Sequence, residues 1–258
     1  MDADPYAAER PNRRPASTHT WPAGRRIPAL GEDSSWQGIP FQIRRMGPEQ
    51  LPFVVAEHLK YFPDGFFARL GPSFLTAYCR TYLSSPHAAA YIAERDGEPV
   101  GFLVGVVAPE AHRRHVLEVH RRKLLVCAAA GLAVRPRLTT HFLRTRLPRY
   151  CRKLLPGRPA DQAAAGPRGT TAVLAHVAVV EHARSRGIGD ALIDRFVEDA
   201  ADAGCARVSL VTALGDDGAG PYYERRGWVY RGETRTPDGR QLATYDLPLP
   251  LGLGTETR

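Results

Sequence analysis

The chain has 258 residues, of which 43% are apolar and 24% are charged. This balance is typical of globular domains and excludes a wholly disordered or collagen-like chain. The net charge of +8 is concentrated in residues 111–158, which hold thirteen Lys and Arg and one acid, so this segment carries +12 and the rest of the chain −4.

The cysteines and the hydropathy of the sequence indicate the cellular compartment in which we expect the protein. The four cysteines are scattered without a C-x-x-C pair, and no histidine cluster has metal-ligand spacing. We therefore expect no disulfide scaffold, no metal, and a reducing, cytoplasmic compartment. No apolar run approaches the roughly 20 residues that a membrane span needs. Residues 1–14 mix acids, arginines and prolines, so we expect no secretory signal.

The N-terminal part is predicted to be a disordered arm followed by an α/β domain over 39–250. Residues 1–38 are rich in Pro, Arg, Ser and Ala without apolar periodicity, which indicates a solvated tail or a partner-binding arm. The domain is predicted to begin with a strand at 41–45, helices at about 51–62 and 66–83, and strands at 89–94 and 100–107. Asp96-Gly97 predicts a tight hairpin turn, since both residues tolerate positive φ.

A basic helical insert with its linker is predicted over 111–168, between the third and fourth strands. An apolar run at 124–134 is followed by an amphipathic pattern at 138–155 and a Pro/Gly/Ala-rich linker at 157–169. Charge alone leaves open a solvated helical pair, a site for an anionic acceptor, a protein or homodimer interface, or contact with a membrane surface. Nucleic-acid binding is disfavoured because no base-stacking motif accompanies the charge.

The C-terminal part alternates strands and helices. The pattern predicts strands at 171–180, 206–211, 228–235 and 242–247, a helix from about Gly187 to a C-cap at Gly204, and a short helix at 220–226. Between the first of these strands and the long helix lies Arg184-Ser185-Arg186-Gly187-Ile188-Gly189. Glycines there let a ligand approach the backbone, and the free amides and dipole of the helix favour an anion, so this loop predicts a phosphate site.

Two common phosphate loops do not fit this stretch. A Walker A loop would need Lys and Ser or Thr where Asp190-Ala191 stands, and a dinucleotide fingerprint would need a third glycine at Leu192. The loop instead resembles the Arg/Gln-x-x-Gly-x-Gly/Ala loop of the GNAT N-acetyltransferase superfamily. Val177-Ala178-Val179 and residues 222–228 (YYERRGW) are similar to two further motifs of that family, and the element order over 41–109 and 170–249 also agrees.

The resemblance implies a GNAT-like mixed, splayed central sheet flanked by helices, and acyl transfer from acetyl-CoA to an amine. Backbone groups of the Val-Ala-Val stretch would hold the pantetheine arm and polarise the thioester, and the glycine loop would hold the pyrophosphate. Tyr223 would protonate the leaving thiolate. The cofactor-binding residues implied in this way are Val177, Ala178, Val179, Arg184, Ser185, Arg186, Gly187, Ile188, Gly189 and Asp190.

The general base does not follow from the resemblance. Many relatives carry a Glu on the strand that is 208–212 here, which has no carboxylate, and Asp216 stands where relatives often have Asn. His176 lies on the central strand, but alternation turns it away from the cleft unless a bulge intervenes. In relatives the loop between the first two helices contacts substrate, and the candidate acceptor-binding residues here are Glu57, His58, Asp64 and Phe66.

The resulting hypothesis is transfer of acetyl from acetyl-CoA to a primary amine of a small molecule, by direct attack in a ternary complex. Acylation of a protein or peptide amine is an alternative within the same chemistry. A non-catalytic acyl-CoA-binding sensor or scaffold is the alternative outside it.

Overall fold

The computed structural model describes residues 41–135, 140, 170–215, 218–236 and 239–250. The predicted arm at 1–38 and the linker at 157–169 lie outside these residues, as does the predicted helix at 138–155 apart from Thr140.

A seven-stranded mixed sheet organises the described chain. Its spatial order is β1-β2-β3-β4-β5-β7-β6, with β4 and β5 the parallel pair and the other neighbours antiparallel. The strands are β1 (Gln42–Arg45), β2 (Ala88–Arg95), β3 (Glu98–Val106), β4 (Thr170–Val179), β5 (Cys205–Ala213), β6 (Val229–Arg235) and β7 (Gln241–Pro248).

Helices cover both faces of the sheet. They are α1 (Leu51–Tyr61), α2 (Phe66–Arg69), α3 (Pro72–Ser84), α4 (Pro109–His115), α5 (Arg121–Ala133), α6 (Ile188–Asp202) and α7 (Gly220–Arg225), with a π-helical turn at Val116–His120. Leu75 of α3 packs with Phe102 on one face. Phe196 of α6 packs with Leu103 on the other. The apolar stripes predicted from the sequence are thus buried in two layers around the sheet.

Residues with positive φ decide two local features, the β2–β3 hairpin turn and the break before α3. Asp96 and Gly97 have φ of 54° and 81°, so the predicted β2–β3 hairpin turn is confirmed. The helix predicted over 66–83 is instead two helices, because Gly71 adopts a φ of 98° and Pro72 begins α3. A positive φ cannot continue a helix, and proline favours its first turn.

The parallel strands β4 and β5 separate partway along their length. Among the described residues, their pairing runs only from Thr170 opposite Cys205 to Val173 opposite Ser209. Beyond this point β4 stays paired with β3 as far as Val179, and β5 stays paired with β7 as far as Ala213. The sheet is therefore splayed, as the resemblance implied, and opens a gap at the carboxyl ends of both strands.

The described helices that follow β3 pack against α3 and the loop before it. Leu124 of α5 is buried with Leu70 and Phe74. Gly131 comes so close to this loop that a Cβ atom on it would lie 2.4 Å from the Leu70 carbonyl oxygen. Arg135 donates to the same carbonyl at 3.3 Å, so the end of α5 fixes the α2–α3 loop.

Replacing Gly131 with Ala is expected to lower the free energy of unfolding by about 1–3 kcal/mol, because the added methyl is overpacked against backbone. Helix propensity alone would raise stability by about 1 kcal/mol. A loss of stability would therefore show that overpacking outweighs helix propensity at this position. The control Ala130→Gly, at an exposed site on the same helix, should cost about 1 kcal/mol through propensity. Urea unfolding measures both, and a more stable Gly131→Ala protein would contradict this packing.

Candidate active site

The backbone of β4 offers unpaired hydrogen-bonding groups to the gap. The Val180 amide donates to the Val100 carbonyl of β3 at 2.9 Å. Bonded residues alternate along an antiparallel pair, so Ala178 also bonds to β3, whereas Val177 and Val179 direct their N–H and C=O groups toward the gap. Val177 therefore has both backbone groups available to a ligand there, and Val179 has its amide, since the Val179 carbonyl accepts from Arg184.

The glycine loop leads directly from this strand into α6. Gly187, the N-cap of α6, has a φ of 79°, and no side chain caps the helix. The first helical bond runs from the Ala191 amide to the Gly187 carbonyl, so the amides of 188–190 precede the internal hydrogen bonds of α6. These amides and the positive end of the helix dipole fit the pyrophosphate of acetyl-CoA.

The two arginines of the loop have different environments. Arg184 turns back across the end of β4, where its Nε donates to the Val179 carbonyl at 3.0 Å and its guanidinium lies 4.6 Å from the centre of the Tyr61 ring. Arg186 is exposed, and within the described chain it forms no ion pair. Arg186 is therefore the loop cation available to a phosphate, while Arg184 braces the strand against α1.

The first turn of α6 is fastened to α7. The Tyr222 hydroxyl donates to Asp190 Oδ1 at 2.5 Å, and Arg226 pairs with the same oxygen at 2.7 Å and with Asp194. Arg226 thereby neutralises the carboxylate that would otherwise repel a phosphate at the helix N-terminus. The Asp190 side chain thus holds α7 in place. The group of this residue that can bind a phosphate is its backbone amide.

Tyr223 lies at the centre of this arrangement. Its ring is 6% exposed and packs against Trp228 and Tyr245, with ring centroids 5.5 Å and 6.2 Å away. No described residue hydrogen-bonds its hydroxyl, so the packing of the ring leaves the phenol group without a partner among these residues. Burial raises the Tyr223 pKa to about 12, which keeps the phenol protonated at neutral pH, as a proton donor must be.

A bulge in β4 lies just before His176. Val104 and Gly105 of β3 are consecutive, yet they pair with His176 and Leu174, so Ala175 is an extra residue. From His176 to Val179 the register is regular, and His176 alternates with Val177, whose side chain packs on the α6 face. His176 therefore faces α1, as alternation predicted, where its ring centroid lies 4.5 Å from that of His58 and 5.4 Å from that of Phe62.

The four predicted acceptor-binding residues do not all converge. His58 is 3% exposed, and its Nδ1 is buried without a hydrogen-bond partner among the described residues. Burial lowers the His58 pKa to about 4. Glu57 also has a buried, unpartnered carboxylate oxygen. Asp64, by contrast, is exposed and paired with Arg69 at 3.3 Å, and Phe66 packs beside Phe67 at 6.0 Å.

The described chain has a second concave region, away from the gap. A cavity of about 490 Å³ lies at the opposite end of the sheet, lined by Tyr82, Arg45 and Asp199 among others. The Asp199 carboxylate is already bonded to Tyr91, Arg45 and Arg195, so this cavity offers a ligand little. Among the described residues no group of side chains could hold a metal ion, and no helix there has the length and hydropathy to span a membrane.

Comparison with known proteins agrees with this site. The acetyltransferase (GNAT) family matches residues 153–228, which include the glycine loop and Tyr223. No curated protein sequence matches the chain. The resemblance to the GNAT acetyltransferase family, which the loop, the Val-Ala-Val stretch and Tyr223 predicted, is thus confirmed for this segment of the chain.

Solved structures share the fold at low sequence identity. Arabidopsis thaliana NAA60 in complex with a bisubstrate analogue is similar with a TM-score of 0.50 and 15% identity, covering 82% of this chain and 99% of that chain. Ard1 from Thermoplasma volcanium is similar with a TM-score of 0.49 and 16% identity, covering 81% and 98%. The similarity to NAA60, at a TM-score of 0.50, supports the splayed α/β fold alone.

Sequence reasoning missed several contributors to this site. The interhelical anchor formed by Tyr222 and Arg226, the contact of Arg184 with Tyr61, and the His58–His176 pair all join residues distant along the chain. Only the repeated acids Asp190 and Asp194 on one face of α6, with Arg226 in the next helix, could have suggested one of these contacts.

Acetyl-CoA is expected to raise the melting temperature, and Gly187→Glu is expected to abolish the rise by placing a carboxylate at the helix N-terminus. At a hundredfold excess over Kd, binding adds about 2.7 kcal/mol, or roughly 5–10 °C for a domain of this size. Gly204→Glu is the matched control, because Gly204 lies just after the other end of α6, also has a positive φ, and faces open space. Equal acetyl-CoA shifts in both variants would contradict the site.

Proposed function

We propose that this protein is an N-acetyltransferase that transfers acetyl from acetyl-CoA to a primary amine of a small molecule within a ternary complex. One observation carries the proposal: the unpaired edge of β4 at Val177 and Val179 leads directly into the uncapped N-terminus of α6. Backbone amides beside the thioester arm, followed along the chain by amides for the diphosphate, are the hydrogen-bond donors that acetyl-CoA requires.

The donor side of the gap is the face covered by α6 and α7. Ile188, Tyr223 and the side chains of Val177 and Val179 all belong to the core on this face. In this proposal the Val177 amide polarises the thioester carbonyl, which gains negative charge as the amine attacks. Tyr223 then donates its proton to the departing thiolate as the carbon–sulfur bond breaks.

The opposite face remains for the acceptor. There α1 presents His58 and Phe62 to β4.

The test is release of free thiol from acetyl-CoA in the presence of a panel of amines, with aminosugars, amino acids, polyamines, nucleotide-linked amines and peptides as separate arms. Turnover with a small amine supports the proposal. Turnover with peptides alone would replace it with acylation of protein amines. Acetyl-CoA binding without turnover of any amine would favour a sensor or scaffold.

Tyr223→Phe is expected to lower kcat about 100-fold, the usual contribution of a positioned acid, while Kd for acetyl-CoA stays unchanged. The control Tyr245→Phe removes a neighbouring hydroxyl that bonds Glu224 at 2.9 Å and should keep kcat within a fewfold. Because the Tyr223 pKa is raised to about 12, its ionisation should not limit the rate of the native enzyme below about pH 11. Equal kcat for Tyr223→Phe and the native protein would remove Tyr223 from catalysis.

A further inference from the structure

His176 is a titratable side chain that alternation with Val177 places on the α1 face of β4, the face proposed for the acceptor. It lies in the stretch of β4 that has lost β5, between the last paired residue, Val173, and the backbone groups of Val177. Its half-buried ring makes no hydrogen bond with any described residue. The ring is therefore available to a molecule that enters the gap from the side of α1.

Geometry separates the two substrates across the sheet. The glycine loop, Tyr223 and the Val177 side chain lie on the α6 face, whereas His176 contacts His58 and Phe62 of α1 on the other face. If the donor enters along the first face, the attacking amine approaches from the second. The nitrogen lone pair then meets the thioester carbonyl beside the imidazole of His176.

We propose that His176 is a catalytic residue that accepts the proton of the attacking amine. This assignment rests on the proposed function, since it requires acetyl-CoA in the gap. In the step, the amine nitrogen bonds to the thioester carbon and the carbon–sulfur bond breaks. The proton from nitrogen passes to the His176 imidazole, and the thiolate takes the Tyr223 proton. His176 later returns its proton to solvent or to the tyrosinate, so that an amine and a thioester become an amide and a thiol.

The surroundings of His176 keep its imidazole neutral. Burial, and secondarily the neighbouring His58, lowers the pKa of His176 well below its ordinary value. A neutral imidazole is the form that accepts a proton. A weak base suffices here, because the amine nitrogen becomes cationic and strongly acidic as the carbon–nitrogen bond forms. The buried, unpartnered Nδ1 of His58 is a costly feature in a purely structural core.

The direct test uses bromoacetyl-CoA, which places an electrophilic carbon where the acetyl methyl would lie. A His176 nitrogen should displace bromide and become alkylated, and peptide mass spectrometry should find the adduct at this position. Excess acetyl-CoA should prevent it, and His176→Gln should abolish it. His182→Gln, which changes an exposed histidine before the glycine loop, should leave labelling at His176 unchanged.

Steady-state kinetics with the most active amine of the panel test whether His176 takes part in catalysis or only lies near the acetyl group. His176→Gln should lower kcat about 100-fold without changing Kd for acetyl-CoA. It should also remove an acid limb of the kcat profile that lies below pH 6.5, the ordinary histidine pKa, because protonation inactivates the base. A protein that shows the acetyl-CoA thermal shift but neither labelling at His176 nor this loss of kcat would overturn the assignment. A protein without the shift would overturn the proposed function, and the assignment with it.

Discussion

The separation of β4 from β5 is the structural constraint on which the candidate site depends. Each strand is held on its outer side by an antiparallel neighbour, β3 or β7, while their mutual pairing ends at Val173 and Ser209. The bulge at Ala175 follows immediately, and bulges bend a strand and increase its twist. The same local irregularity therefore accounts for two features: the opening of the sheet, and the freedom of the Val177 and Val179 amides from a partner strand.

The elements around the gap are connected to one another through few contacts. Arg226 and Tyr222 join α7 to the first turn of α6 through Asp190, so Tyr223 and the amides of 188–190 belong to one unit. On the other face, Gly131 of α5 and Arg135 just after this helix fix the α2–α3 loop. The two faces of the sheet are thus held by independent sets of contacts.

Much of the fold could be predicted from local signals. Asp96-Gly97 specified the hairpin, and the apolar stripe of α6 together with Gly187 placed the helix and its anion-binding end. The break before α3 was missed because the apolar spacing of 66–83 continues through Gly71, whose φ of 98° is not visible in periodicity. The bulge at Ala175 was not predicted, because an extra residue in a strand has no reliable sequence signal. The anchor from Arg226 to Asp190 depends on tertiary packing, which spacing alone does not encode.

Residue-resolved amide hydrogen exchange by NMR, with and without coenzyme A, tests the central claim most directly. The account predicts new protection at the amides of Val177 and Val179 and at 188–190. It predicts little change at Ala178, whose groups already bond to β3. Uniform protection along β4, or no change at 188–190 under saturating coenzyme A, would contradict a donor site built from the splayed strand and the N-terminus of α6.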